Sequence, residues 1–284
     1  MTPLHAFIGP NDSGKSTLLR ALREGAAALT AVQPKHDIVV ATRGAAYGRS
    51  RGELVIARER PRAGAPVVVR WVPRSLREAS DNAADVGGFL ASGYGLPGTL
   101  ARIFNANDEA LATTNRRLSE TFPTIAKLRV EPRGSAQWQI SVTLASGVRV
   151  AVEELSDGVL YWLAFESLRY LEDEWLLLLE EPENGLHPSR IAEVMSTIKH
   201  VVAESKGRIQ VVMATHSPLV INELEPDQVT LVTRDVERGT QVTPMRQTKN
   251  FEERSKVYAL GELWLSYANG RDEAELVPSM ATGS

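Results

Sequence analysis

Gly9-Pro-Asn-Asp-Ser-Gly14-Lys15-Ser16-Thr17 fits the pattern G-x-x-x-x-G-K-[ST], and it constrains this chain more than any other stretch. The residues before it, Leu4-His-Ala-Phe-Ile8, read as a buried strand, and Leu18, Leu19 and Leu22 open the apolar face of a helix expected from Lys15 to about residue 30. A glycine-bearing strand-to-helix turn that holds no ligand is the plain alternative, and the strand and helix in their required places argue against it. In such a loop Gly9, Asn11, Asp12, Ser13 and Gly14 bring backbone N–H groups around phosphate oxygens. The helix N-terminus at Lys15, Ser16 and Thr17 adds its partial positive charge. Lys15 is placed to reach the β- and γ-phosphates, and the Ser16 hydroxyl to ligate Mg²⁺. The loop predicts binding of a nucleoside triphosphate.

A second constellation lies far along the chain. Leu176-Leu-Leu-Leu179-Glu180-Glu181-Pro182 is a run of leucines ending in two carboxylates. The leucines read as a buried strand, and in open α/β sheets ligands bind where strands emerge at their C-terminal edge. Glu180 is thereby placed to hold the Mg²⁺ shell, and Glu181 to polarise an attacking water. Two acids that merely end a strand in solvent would need no Pro182-Glu-Asn-Gly185-Leu-His187-Pro188 immediately after them.

Between the two motifs, short β-type runs at 38–42, 53–58 and 67–72 are punctuated by Gly and Pro and suggest an antiparallel meander. Residues 76–120 look helical but interrupted, with a loop at 93–98. Strand-like runs follow at 126–130, 137–144 and 148–152, the last two joined by a hairpin-sized turn. After Leu155 helices (158–171, 189–204, 252–267) alternate with strands (176–179, 209–214, 229–232, 241–245), which implies a parallel sheet covered by helices. The tail from Gly270 is expected to fray.

With 284 residues, 43% of them hydrophobic, the chain can bury a large core. Its net charge of −3 does not suggest wholesale nucleic-acid binding, but the charges are unevenly spread. Nine arginines and two acids lie between Arg43 and Arg77, whereas acids dominate from Glu153 to Glu183. The arginine run is either a solvated β-surface or a docking face for an anionic partner. The lack of cysteine excludes disulfides, thiolate metal sites and a Cys nucleophile. No apolar run approaches 18 residues and no signal-type segment opens the chain, so a soluble cytoplasmic protein with no membrane partner is expected.

Four motifs in order carry a resemblance: the loop at Gly9 to Ser16; Leu155-Ser156-Asp157-Gly158; Glu180-Glu181-Pro182-Glu183-Asn184-Gly185-Leu186-His187-Pro188; and Ala214-Thr215-His216-Ser217-Pro218. Together they resemble the ATP-binding-cassette (ABC) ATPases of the soluble AAA-15/AAA-21 branch. That branch includes the ATPase half of the overcoming-lysogenization-defect (OLD) nucleases and is related to RecF and SMC heads. The resemblance implies an α/β P-loop ABC-ATPase fold: a mostly parallel core sheet flanked by helices, an antiparallel β-subdomain and a helical signature subdomain. A single ATPase domain is expected, with its core at 1–33 and 155–269 and an insertion at 38–152. The resemblance also assigns roles. Ser156 and Gly158 match the signature that contacts the γ-phosphate held by the opposite subunit. Glu180 matches the Walker B acid, although transporters and SMC heads usually carry Asp there, and Glu181 matches the catalytic glutamate. Asn184 to His187 match the D-loop, and His216 matches the switch histidine that senses γ-phosphate. His5 and His187 are expected to be structural.

The chain departs from that family in three ways. Only eight residues precede Gly9, where the family has its first strands and an aromatic for the adenine. The Q-loop glutamine has no clear counterpart, Gln33 being the nearest. No Asp-x-Asp occurs after His216, so no TOPRIM nuclease module is expected. The favoured expectation is an ATP- and Mg²⁺-dependent homodimeric switch that controls a separately encoded effector, as family members do in bacterial anti-phage defence. A RecF-like DNA-clamping ATPase is the alternative, with the arginine-rich region as its DNA surface. A transporter subunit ranks last, because Leu155-Ser-Asp-Gly-Val is not the transporter-type LSGGQ.

Overall fold

In the computed structural model, residues 2–27, 66–81, 86–171, 175–184, 186–235 and 239–268 are described. In chain order the elements are β1 (Leu4–Ile8), α1 (Lys15–Ala27), β2 (Val67–Val69), α2 (Pro73–Arg77), α3 (Val86–Ser92), α4 (Leu96–Ala106), α5 (Asp108–Thr121), β3 (Ile125–Arg133), β4 (Gln137–Leu144), β5 (Arg149–Ala151), α6 (Asp157–Ser167), β6 (Trp175–Glu180), α7 (Pro188–Glu204), β7 (Ile209–Thr215), α8 (Pro218–Asn222), β8 (Val229–Asp235), β9 (Gly239–Pro244), α9 (Phe251–Arg254) and α10 (Leu260–Ala268). They fall into two compact units, one of residues 1–66, 174–184 and 209–284, the other of 67–173 and 185–208.

The first unit is organised by strands that are apolar on both faces. Ala6, Phe7 and Ile8 of β1, Leu177 to Leu179 of β6 and Val211 to Ala214 of β7 are all buried. Such continuous burial is what a parallel sheet demands. The strands run in the order β6-β7-β1-β8-β9. The pairs β6/β7, β7/β1 and β1/β8 are parallel, and β9 returns antiparallel on β8. Register decides where the site falls: Ile8 lies beside Thr215, and Glu180 beside Ala214. The C-terminal ends of β1, β7 and β6 therefore finish level at one sheet edge. The apolar stripe of α1 (Leu18, Leu19, Leu22) is buried as the 3.6-residue period predicts.

The second unit holds an antiparallel sheet, β3-β4-β5. Leu128 of β3 and Ile140 and Val142 of β4 face inward, and α4 and α5 pack on the sheet. Helix α6 is buried on all sides from Gly158 to Ser167 and packs along α7. Its N-terminal segment is the Leu155-Ser-Asp-Gly158 motif.

Element types follow the expectation where they are described, and several boundaries move. The expected loop at 93–98 ends at Gly95, because Gly93 and Gly95 take positive φ and α4 starts at Leu96 with Pro97 in its first turn. The single helix expected at 252–267 is two, α9 and α10. The break comes where the Glu262 carboxylate accepts the Ala259 N–H at 2.9 Å and so caps a fresh helix. The run at 67–72 is a three-residue strand, with Pro73 opening α2. The β runs at 38–42 and 53–58, Gln33, most of the arginine run and the tail lie outside the described residues. Among the described residues, no helix is long and apolar enough to cross a membrane.

Candidate functional site

The loop after β1 needs its glycines where they stand. At Gly9 an added Cβ would overlap the Val232 carbonyl oxygen of β8 and the Ser13 hydroxyl; Gly14 takes φ +102, with the Thr240 hydroxyl of β9 against its α-carbon. Asp12, an exposed side chain, carries the other left-handed turn at φ +66. Asn11 and Thr17 are exposed on the loop and the first turn of α1. The Lys15 side chain folds back over the loop, its Nζ donating to the carbonyls of Gly9 and Pro10, both at 2.7 Å, and only 8% of the residue is exposed. Burial lowers the Lys15 pKa, while the charges of Glu181, Asp12, Glu183 and Glu180 oppose that shift.

The carboxylates meet the loop from the neighbouring strand ends. The Ser16 hydroxyl donates to Glu180 Oε1, so the two side chains expected to share a metal are in contact. Glu181 follows with φ +48, a left-handed conformation that costs a non-glycine residue about 1 kcal/mol. Its N–H still donates to Ala214 O at 2.8 Å, which extends the β6–β7 ladder one residue past the strand. The bend turns the Glu181 side chain toward the end of β7. There Oε1 lies 2.9 Å from His216 Nδ1, and Oε2 accepts the Asn184 amide at 2.7 Å.

Sequence reasoning missed two residues in this cluster. Glu183 Oε1 accepts the Thr215 hydroxyl at 2.5 Å, and the same hydroxyl accepts the Ser217 N–H at 3.0 Å. Glu183 Oε2 is buried without a hydrogen-bond partner, and burial pushes its carboxyl pKa up. The signal was present: Glu183 sits in the motif, and Thr215 in Ala-Thr-His-Ser-Pro.

The signature segment belongs to the second unit. Ser156 is the exposed N-cap of α6, its hydroxyl making no capping bond, and Gly158 is buried against the Arg190 side chain. Arg77 Nη2 holds this segment, donating to Leu155 O and to Asp157 Oδ1, each at 2.7 Å. Arg77, last of the arginine run, is thus a fastener of the signature turn. His187 and His5, expected to be structural, have partners outside this cluster. His187 caps α7 by accepting the Ser189 N–H, and buried His5 bonds the Thr230 hydroxyl through Nε2 at 3.0 Å.

The donor set fits a nucleotide phosphate with Mg²⁺. The Ser13 hydroxyl is buried without a hydrogen-bond partner, α1 begins at Lys15 with first-turn N–H groups that no helical carbonyl satisfies, and one ammonium stands among four carboxylates. A polyphosphate entering so acidic a site needs a divalent cation with it. Among the described residues no group of three or more His, Asp or Glu side chains converges on one metal position. Two protein ligands, Ser16 and Glu180, with phosphate and water oxygens completing the shell, suit Mg²⁺.

A family described as "AAA domain, putative AbiEii toxin, Type IV TA system" matches residues 68–222, more than half of the chain. The chain belongs to this AAA family. The matched stretch contains Ser156, Glu180, Glu181 and His216, and the phosphate-binding loop precedes it. Among solved structures, an SMC head bound to the C-winged helix domain of ScpA is 14% identical over 86% of this chain and 91% of that one, with a TM-score of 0.54. The SMC head domain from Thermotoga maritima is 15% identical over 86% and 90%, with a TM-score of 0.45. No curated protein matches the chain. The AAA-family chain thus has the mixed α/β fold of an SMC-type ATPase head: a mostly parallel core sheet and a separate antiparallel one.

Proposed function

We propose that this AAA-family protein is an ATP-hydrolysing switch that closes as a head-to-tail homodimer and governs a separately encoded effector, in the manner of bacterial anti-phage ATPases. The observation that carries the reading is the convergence, at one sheet edge, of the Lys15 loop, the Ser16–Glu180 pair and the Glu181–His216 pair. Lys15 and the loop N–H groups bind the β- and γ-phosphates, and Ser16 and Glu180 hold Mg²⁺, which offsets phosphate charge when bound. Glu181 orients and polarises the attacking water.

The Glu181–His216 contact adds a control. A carboxylate only accepts, so His216 Nδ1 carries a proton in this pair, and in the singly protonated ring Nε2 is then an acceptor. To donate to a γ-phosphate oxygen, the ring must either gain a second proton or shift its proton to Nε2 and release Glu181. Along the second of these routes, engagement of γ-phosphate and release of the water-activating carboxylate are one event.

Glu181→Gln tests the reading. The variant is expected to bind ATP with near wild-type affinity, to hydrolyse it at least a hundredfold more slowly, within the range general-base removal gives, and to elute as a dimer in ATP. A Glu181→Gln protein that stays monomeric and turns over ATP at the wild-type rate contradicts it. The second reading, a RecF-like DNA-clamping ATPase, is supported by the SMC-head fold. Duplex DNA that stimulates wild-type turnover favours it; a DNA-indifferent rate favours the effector switch.

A further inference from the structure

The chain that follows β7 is fastened on both sides of His216, and one fastening comes from the distant end of the sequence. Before His216, the Thr215 hydroxyl is fully buried and ties the strand end to Glu183. At His216 itself, the backbone carbonyl accepts the indole N–H of Trp264 at 3.1 Å. Trp264 is 3% exposed, in the middle of α10. After His216, α10 meets α8 without a side chain between them. A Cβ on Gly261 would overlap the Pro218 carbonyl oxygen, and the Gly261 N–H donates to Asn222 Oδ1 at 2.7 Å. Three contacts from one two-turn helix thus converge on residues 216–222, while the His216 ring itself reaches Glu181.

We propose that Trp264 is a positioning residue for His216, and that α10 couples the γ-phosphate sensor to the C-terminal part of the chain. The inference rests on the reading of His216 as that sensor. The His216 ring can address Glu181 or a γ-phosphate only if its backbone is held while the ring turns. The Glu183–Thr215–Ser217 bonds hold the strand side, and the indole N–H holds the carbonyl side. A part-buried carbonyl stripped of its donor gains by rotating toward another, and that rotation carries the ring with it. Because the coupling is an equilibrium property, ATP that draws the ring toward phosphate also alters the load on the Trp264 bond, and a displacement of α10 alters preference for ATP.

Trp264→Phe removes the N–H and keeps an aromatic ring in the packing. ATP and ADP affinities are measured by calorimetry, turnover at saturating ATP, and folding by thermal melting, for wild type, Trp264→Phe and Gly261→Ala. Wild type is expected to prefer ATP over ADP. Trp264→Phe is expected to bind ADP as wild type does, to lose about tenfold of the ATP preference with a matching rise in KM for ATP, and to lose about tenfold in kcat, the scale of one hydrogen bond. Gly261→Ala, which pushes α10 off the Pro218 carbonyl, is expected to move the same quantities in the same direction. Unchanged ATP:ADP preference and kcat in a folded Trp264→Phe protein overturns the proposal. So does an equal loss of ATP and ADP affinity with a lowered melting temperature, which is the signature of a purely structural role. If wild type binds ATP in preference to ADP but does not hydrolyse it, the ATPase reading fails and the binding comparison still decides this one; a wild type without that preference overturns it.

Discussion

His5 is a residue whose burial has a measurable consequence. It lies in β1, 4% exposed, its ring nitrogens bonded to the Thr230 and Thr2 hydroxyls, and burial lowers its pKa from 6.5 to about 4. The folded protein keeps His5 neutral down to about pH 4, whereas the unfolded chain takes up a proton near pH 6.5. Stability is therefore lost as pH falls through that window. Glu183 and Glu166 act in the opposite sense. Burial raises both carboxyl pKa values, so the folded state holds their protons longer and their contribution is lost as pH rises above the ordinary carboxylate value. His5→Asn isolates the histidine. The variant is expected to be less stable than wild type at pH 7 and to recover about 2 kcal/mol of the difference by pH 5 in urea denaturation. Parallel wild-type and variant stability curves between pH 7 and pH 5 would show that His5 titrates normally in the fold. Residues of this site were legible in the sequence when spacing alone fixes their chemistry, as for Lys15, Ser16, Glu180 and Glu181. Trp264 and Arg77 were not, because each acts through a backbone carbonyl or carboxylate that only the fold brings near.

At the scale of elements, α6 shows what full burial requires. Its one buried ionised residue is Glu166, which is 1% exposed and lies 3.0 Å from Arg117 Nε of α5 and 3.2 Å from Arg169 Nε. Both arginines also approach Glu204 of α7, so four charges tie three helices together. The Glu166 oxygens and Arg117 Nε lack aligned hydrogen bonds, so charge rather than bond geometry holds the group. Removing one cation leaves the buried carboxylate with a single arginine partner. Arg169→Met is expected to destabilise the protein by about 3 kcal/mol at pH 7. The loss should be smaller at pH 5, where Glu166 can take up a proton. Adding Glu166→Gln to Arg169→Met should restore much of the stability. A double variant no more stable than Arg169→Met would show that the network is not what holds these helices. This network explains why the helix at 157–167 was legible as an element while its packing was not: an all-round apolar helix gives no stripe from which to read partners. Strands β6 and β7 were legible for the converse reason, since leucine and valine runs of strand length that end in carboxylate or Thr-His fit a parallel sheet edge. The split between α9 and α10 depends on one side-chain cap, Glu262 on Ala259, which the apolar period does not encode.

At the scale of the molecule, the phosphate-binding loop and the signature segment belong to different compact units. Ser156 stands at the start of α6 with an exposed hydroxyl free of capping duty, next to N–H groups that suit an anion. In the proposed head-to-tail dimer that hydroxyl completes the site whose Lys15 is on the other chain, so each site draws on two copies. Lys15→Ala and Ser156→Arg should each be inactive alone, the first from lost phosphate binding and the second from a bulky cation in place of the hydroxyl. Mixed in equal amounts, the two variants pair at random, so half the dimers are hybrids. In a hybrid, the Lys15 of the Ser156→Arg chain meets the Ser156 of the Lys15→Ala chain, and one of the two sites is whole. If sites act independently, the mixture should recover roughly a quarter of wild-type turnover. If both must close together it should recover almost none, although wild-type turnover would still rise more steeply than linearly with protein concentration. Turnover that is linear in concentration, with no recovery on mixing, would mean that a single chain hydrolyses ATP unaided, and the two-chain site would have to be abandoned.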